Sequence, residues 1–151
     1  MEIVELPEQD ISSVLPLSSK IFGQQIGTFH HIFSKWTDHY KNDGILLGAF
    51  KDNELVGYIF GYRVDEDEFH YWMGGVGEKH RGNGIGRSLL TELEKKVKEE
   101  GYKKITVNTY KEKWQVQYGF LLRHGYNVYK EEEIKWDDGK MHIKSFLIKN
   151  L

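Results

Sequence analysis

The chain has 151 residues, 39% of them hydrophobic and 29% charged, which is enough apolar material for one buried core and too little chain for two comfortable domains. A formal charge of −2 gives no global basic field for nucleic acid, and the absence of cysteine excludes disulfides, thiolate zinc sites and a cysteine nucleophile. The acidic opening MEIVELPEQD lacks the apolar stretch of a secretory signal, and no apolar run approaches the roughly 20 residues that span a bilayer, so a cytoplasmic protein without membrane contact is expected.

Residues 2–6, EIVEL, alternate and stop at Pro7, which predicts a short first strand. Asp10 is placed to cap a helix through ISSVLPLSSKIF, with Pro16 inside it predicting a kink or a break. TFHHIFSKWTDHY opens on a capping Thr28 and carries Phe29, Ile32, Phe33 and Trp36 at helical spacing, with Gly44 as a left-handed stop. ILLGAFK and LVGYIFGYRV, joined by DNE, read as a β-hairpin. The polar connection DEDE (residues 65–68) leads to a third strand, FHYWMGGV. After a glycine-rich stretch comes a long helix with Ile85, Leu89, Leu90, Leu93 and Val97 on one face, closed by Gly101. KKITVNTY is a further strand, WQVQYGFLLRH a short helix ended by Gly125, and YNVYKEEEIKW–DDG–KMHIKSFLIK a final hairpin. There is no repeat, linker or low-complexity segment, so residues 1–151 read as one domain.

The stretch HRGNGIGRSLL, from His80 to Leu90, places three glycines in five residues against the start of a helix. Between a strand and a helix, such glycines allow the backbone to approach a phosphate, with free helix N–H groups and the positive dipole end aimed at the anion. Arg81 and Arg87 add charge suited to phosphate oxygens. A P-loop requires a Lys-Ser/Thr pair after the glycines, and none follows. The dinucleotide fingerprint G-x-G-x-x-G does not fit Gly82, Gly84 and Gly86 either.

The spacing Arg81-x-x-Gly84-x-Gly86 resembles the [QR]-x-x-G-x-[GA] acetyl-CoA motif of the GNAT superfamily of acetyl-CoA-dependent N-acetyltransferases. LLRHGY (residues 121–126) resembles the ending of that family's second conserved helix, and the element order matches over nearly the whole chain. The resemblance implies an α/β (α+β) fold with one mixed, mostly antiparallel twisted sheet of about seven strands and helices on both faces. It implies acetyl-CoA as cosubstrate and no metal, with a small-molecule or peptide amine as acceptor. Nucleic acid and membrane are not implied as partners, and a homodimer is left open. The pyrophosphate would lie on the loop formed by Arg81, Gly82, Asn83, Gly84, Ile85 and Gly86, with Arg87 and Ser88 adding side-chain contacts. The pantetheine arm would pair with Met73, Gly74, Gly75 and Val76, while the neighbouring strand (residues 105–108) splays away and Asn108 meets the pantetheine amides. The Met73-to-Gly75 backbone would also donate to the thioester oxygen.

Acetyl transfer to an amine needs a neutral nucleophile, a donor for the thioester oxygen and a proton for the departing thiolate. The family's base is often a carboxylate eleven residues before the motif's first Arg or Gln. That position is His70 here, with an ordinary imidazole pKa of about 6.5, and Glu68 on the same strand face is the second candidate. The family's helix tyrosine falls on Leu121, which has no proton to give, so Tyr118, one turn earlier, is the candidate donor. The family's Asn near the start of that helix falls near Trp114. His30 and His31 adjoin Phe29, Phe33 and Trp36 in that helix, and no third metal ligand is evident. A non-catalytic acyl-CoA-binding or sensing module of the same fold is the alternative reading.

Overall fold

The structure, a computed structural model, describes residues 1–23 and 29–151. The elements follow the order β1 (Glu2–Glu5), α1 (Ile11–Phe22), α2 (Phe29–Tyr40), β2 (Ile45–Lys51), β3 (Glu54–Arg63), β4 (Glu68–Val76), α3 (Ile85–Glu99), β5 (Lys104–Tyr110), α4 (Gln115–Arg123), β6 (Asn127–Lys135) and β7 (Met141–Asn150). Seven strands form one sheet in the order β1-β2-β3-β4-β5-β7-β6, antiparallel throughout except where β4 meets β5. The mixed sheet with helices on both faces is the architecture expected.

Two hydrophobic clusters occupy the two faces. Ile11, Val14, Leu15 and Trp36 of α1 and α2 pack on Leu46, Tyr58 and Phe60. On the other face, the α3 stripe of Ile85, Leu89, Leu90, Leu93 and Val97, together with Leu121 of α4, packs on Ile59, Phe69, Tyr71, Ile105, Val107 and Leu147. The α3 stripe is at most 5% exposed, and each such side chain contributes about 1.5–3 kcal/mol relative to exposure. That burial fixes where the N-terminus of α3 sits.

The parallel pairing of β4 with β5 is short. It runs from Glu68↔Lys104 to Tyr71↔Val107 and then stops. Beyond it, β4 stays with β3 to Val76↔Gly57, and β5 stays with β7 to Tyr110↔Lys144. The two central strands therefore part into a fork. Residues 105–107 remain paired, so the divergence expected over residues 105–108 begins only at Asn108. A bulge accompanies it: Phe60 faces Met73 and Gly61 faces Tyr71, leaving Trp72 as the extra residue of β4. Trp72 and Met73 consequently both pack against the α1/α2 cluster, while Phe69 and Tyr71 face the other one.

Local expectations fare unevenly. Asp10 makes no side-chain cap, because a 3₁₀ turn at Glu8–Asp10 leads straight into α1. Pro16 does not break α1: it sits on the exposed side, where water can solvate the carbonyl it leaves unpaired. At the end of α2 the left-handed residue is Asp43 (φ 51°) and not Gly44. Gly44 is needed for a close approach instead, since a Cβ there would lie 2.6 Å from Tyr40 Cα. Thr28 lies outside the described residues, as do the side chains of Phe29, His30 and His31.

Candidate active site

The glycine-rich loop connects the end of β4 to α3 as its spacing suggested. Gly82 and Gly84 have φ of 82° and 77°, the left-handed region that favours glycine, and a Cβ on either would meet nothing within 4 Å. Their role is therefore set by backbone conformation and by open space above the loop. Arg81 N–H donates weakly to Glu78 O, and Ser88 N–H is the first to join the helix ladder, on Gly84 O at 3.0 Å. The amides between them, residues 82–87, have no backbone acceptor among the described residues. Exposed Arg81 and Arg87 stand beside these amides and the positive end of α3. The Arg81 side chain is anchored, with Nε donating to Val76 O at 3.0 Å, and Asn83 reaches back to His80 O at 3.4 Å. Ile85 is buried under the loop and Ser88 is half-buried.

The fork widens from Tyr71 and Val107 toward this loop. A Cβ on Gly86 would make ordinary contact with Val76 at 3.7 Å and Phe120 at 3.9 Å, so this glycine leaves a gap among β4, α3 and α4. Gly74 and Gly75 are required by packing on both faces. A Cβ on Gly75 would lie 2.9 Å from Ile21 of α1, and one on Gly74 would lie 2.8 Å from Tyr71 Oη and 3.0 Å from Tyr58 O. Asn108 is half-buried on the first rung of β5 beyond the fork, opposite Phe146.

His70 and Glu68 sit on the α1/α2 face just before the fork and are joined through a third residue. His70 Nδ1 is 2.9 Å from Thr106 Oγ1, and the Thr106 hydroxyl donates to Glu68 Oε2 at 2.9 Å. Lys104 Nζ lies 3.9 Å from Glu68 Oε1. Aromatic rings surround the imidazole: Tyr62 at 5.5 Å from it, His39 stacked on Tyr62 at 4.1 Å, and Trp72 at 4.5 Å from His39. Burial, with the charge of Lys144 and then His39 adding to it, pushes His70 down to about 4. The ordinary histidine value therefore does not hold at this position, and the ring is neutral at pH 7.

Tyr118 is not gathered with these groups. Its ring lies 5.6 Å from Lys111 Nζ, and Phe120 is the α4 ring that reaches Gly86. Leu121 is fully buried core. The phenol at the fork is Tyr71, 6% exposed, with its hydroxyl beneath Gly74. Gln117 hydrogen-bonds it, and burial pushes it up to about 12. Thr109 in turn donates to Gln117 Oε1 at 2.9 Å. Sequence reasoning missed both Tyr71 and Thr106. Strand alternation sets Tyr71 on the face opposite His70, but only the register reveals that pairing ends there.

The acidic connection serves the backbone. Asp65 Oδ1 accepts from the N–H groups of Asp67 and Glu68 at 2.8 Å each, and Asp67 pairs with Lys103 at 3.7 Å. No helix among the described residues is long and apolar enough to cross a membrane.

The acetyltransferase (GNAT) family profile matches residues 13–126. No curated protein matches the chain. Solved structures that superpose on it include a ribosomal-protein-alanine N-acetyltransferase from Brucella melitensis (17% identity, TM-score 0.81, all of both chains). A GNAT-family acetyltransferase from Streptococcus pneumoniae superposes at 14% identity and TM-score 0.80 over 99% of each chain. One from Elizabethkingia anophelis with acetyl-CoA bound does so at 20% identity and TM-score 0.74, over 99% of this chain and 97% of that one. At these identities the superpositions speak for the fold, and the profile match for the family: the chain belongs to the acetyltransferase (GNAT) family of acyltransferases.

Proposed function

We propose that this acyltransferase moves the acetyl group of acetyl-CoA to a primary amine by direct attack, without an acyl-enzyme. One observation carries the reading: the fork between β4 and β5 opens toward the six amides of residues 82–87, in the loop and first turn of α3, which have no backbone acceptor among the described residues. Those amides, with Arg81, Arg87 and Ser88, suit a pyrophosphate. The β4 edge at Met73, Gly74, Gly75 and Val76, left without a β5 partner, suits an extended arm with amides of its own, and Asn108 faces the same opening.

Acetyl-CoA supplies an activated acyl carbon. The chain's own groups supply the rest. Backbone N–H groups of residues 73–75 are fixed donors for negative charge developing on the thioester oxygen. His70, neutral at pH 7, takes the acceptor's proton directly or through one water. Glu68 is held by Thr106 and Lys104, which favours His70 over Glu68 as the group that meets the amine. For the departing thiolate, Tyr71 is the phenol beside the fork and so a nearer donor than Tyr118. His70 and Tyr71 leave β4 on opposite faces, so base and donor approach the fork from opposite sides.

The test is a panel of amines incubated with acetyl-CoA while free thiol is monitored, alongside CoA binding by thermal shift. Thiol release that depends on an amine, with product mass raised by one acetyl group, is the expected result. Binding of CoA without transfer to any amine would return the chain to a sensing role.

A further inference from the structure

A threonine hydroxyl has one proton, and in this structure two neighbours compete for it. Thr106 Oγ1 lies 2.9 Å from Glu68 Oε2 and 2.9 Å from His70 Nδ1. As a carboxylate, Glu68 can only accept. Were Thr106 to turn its proton to the imidazole, two oxygens bearing only lone pairs would face each other at hydrogen-bond distance. The proton therefore goes to Glu68, the Thr106 oxygen becomes an acceptor, and the group facing it must be Nδ1–H.

We infer that Thr106 and Glu68 are positioning residues that hold His70 in its Nδ1–H form and leave the Nε2 lone pair free for the acceptor's proton. The inference rests on the reading of His70 as the base and says how that base is prepared. Histidine side chains in water prefer the opposite tautomer, so the arrangement works against the intrinsic preference. The rung geometry makes it stiff: His70 pairs with Thr106 and Glu68 with Lys104 in the parallel register, so all the participants stand on paired strand positions.

In the transfer step the amine lone pair forms the C–N bond, the C–S electrons leave on sulfur, and the N–H proton passes to Nε2. No proton crosses Thr106, because Nδ1–H stays on its nitrogen throughout. The groups facing the ring are Tyr62 from β3, His39 from α2, Lys144 from β7, Glu68 on its own strand, and Thr106 with Lys104 from β5. Lys144 and His39 oppose charge on the ring, so the ring stays neutral and fixed in orientation until a proton arrives from the acceptor.

Nitrogen-15 NMR of the histidine-labelled full chain at pH 7 reads the tautomer directly, with His70 assigned by its loss in His70→Gln. The expected spectrum has Nδ1 protonated and Nε2 bare in the wild type. Thr106→Ser keeps that pattern, and Thr106→Val loses it. Glu68→Met frees the hydroxyl proton to turn to Nδ1, and the ring switches to Nε2–H. A wild-type His70 protonated at Nε2, or a tautomer indifferent to Val against Ser at position 106, overturns the inference. With a responsive amine, Thr106→Val lowers kcat about tenfold with the acetyl-CoA KM unchanged, and Thr106→Ser restores it. Full activity in His70→Gln with the expected tautomer would instead remove the base reading and leave the tautomer device standing.

Discussion

His70 and Tyr71 leave β4 in opposite directions at the last two rungs that β4 shares with β5. His70 enters the aromatic group under α2, and Tyr71 enters the core beneath α3 and α4. One strand thus presents an imidazole and a phenol to the two sides of the opening that begins beside them.

His70→Gln tests the acceptor. General-base removal lowers kcat/KM by about a hundredfold or more. The wild-type acid limb should fall near the shifted value of about 4 and not near 6.5, because burial and Lys144 oppose the imidazolium. The measurement is a kcat/KM profile with an amine whose own titration is recorded separately. A wild-type limb at 6.5 that persists in His70→Gln would assign that limb to another group.

The same shift has a consequence for stability. In the unfolded chain His70 titrates near 6.5, and in the fold near 4, so between those values the unfolded state holds more protons. Stability therefore falls as pH drops from 6.5 to 4 and is flat, for this residue, outside that window. The contribution is at most about 3 kcal/mol for a shift of this size. Urea titrations of wild type and His70→Gln at pH 7 and pH 4 measure it. The gap between the two proteins should close in the variant's favour at pH 4.

The glycines of the loop separate folding from binding. Gly86 is helical with room for a methyl group, so Gly86→Ala should stabilise the free protein by about 0.5–1 kcal/mol through helix propensity. The same methyl narrows the gap toward Val76 and Phe120, and CoA binding should weaken. Gly84→Val forces a β-branched residue to φ 77° at a cost of about 2 kcal/mol, and should abolish the CoA-dependent thermal shift. Wild type at 100 times the dissociation constant of CoA should gain about 2.7 kcal/mol. A full shift in both variants would make the loop an ordinary turn.

Much of this was legible in the sequence because it rests on local patterns. The α3 stripe, the Gly101 and Gly125 stops and the Asp52-Asn53 hairpin turn, with both residues at positive φ, are written in spacing and turn chemistry. The loop between β4 and α3 was legible for the same reason. The residues around His70 were not. Thr106 lies 36 positions away and meets His70 only through the β4–β5 register, which no local period encodes. That Tyr118 meets Lys111 while Phe120 reaches Gly86 depends on how α4 packs, a tertiary choice. Gly44 shows the limit at short range, since a glycine expected for its conformation is instead required for proximity to Tyr40.

Gly74 and Tyr71 form a coupled pair. Gly74→Ala puts a methyl 2.8 Å from the Tyr71 hydroxyl and 3.0 Å from a backbone oxygen, an overpacking that should cost about 1–3 kcal/mol. Removing the hydroxyl relieves the first contact, so Gly74→Ala with Tyr71→Phe should be less destabilised than the sum of the single changes, by about 0.5 kcal/mol or more. Urea denaturation of the four proteins measures the coupling, and strict additivity would mean that the hydroxyl does not lie beneath Gly74.

Tyr71→Phe and Tyr118→Phe together decide the donor. Tyr71 stays protonated at any working pH, because burial pushes it to about 12, and so it arrives at the reaction with its proton in place. The Gln117 hydrogen bond lowers the phenol's pKa against the effect of burial, so it is the Gln117 amide N–H that donates to the phenol oxygen. That leaves the phenol proton free to turn toward the fork. Tyr118 has its ring 5.6 Å from Lys111 Nζ, and Phe120 is the α4 ring that reaches Gly86. The expected outcome is a kcat reduced by about a hundredfold in Tyr71→Phe, the size typical of a positioned acid or base, with acetyl-CoA KM little changed. Tyr118→Phe should retain the wild-type rate. A loss confined to Tyr118→Phe would restore the helix tyrosine as donor, and full rates in both would leave the thiolate to be protonated by water.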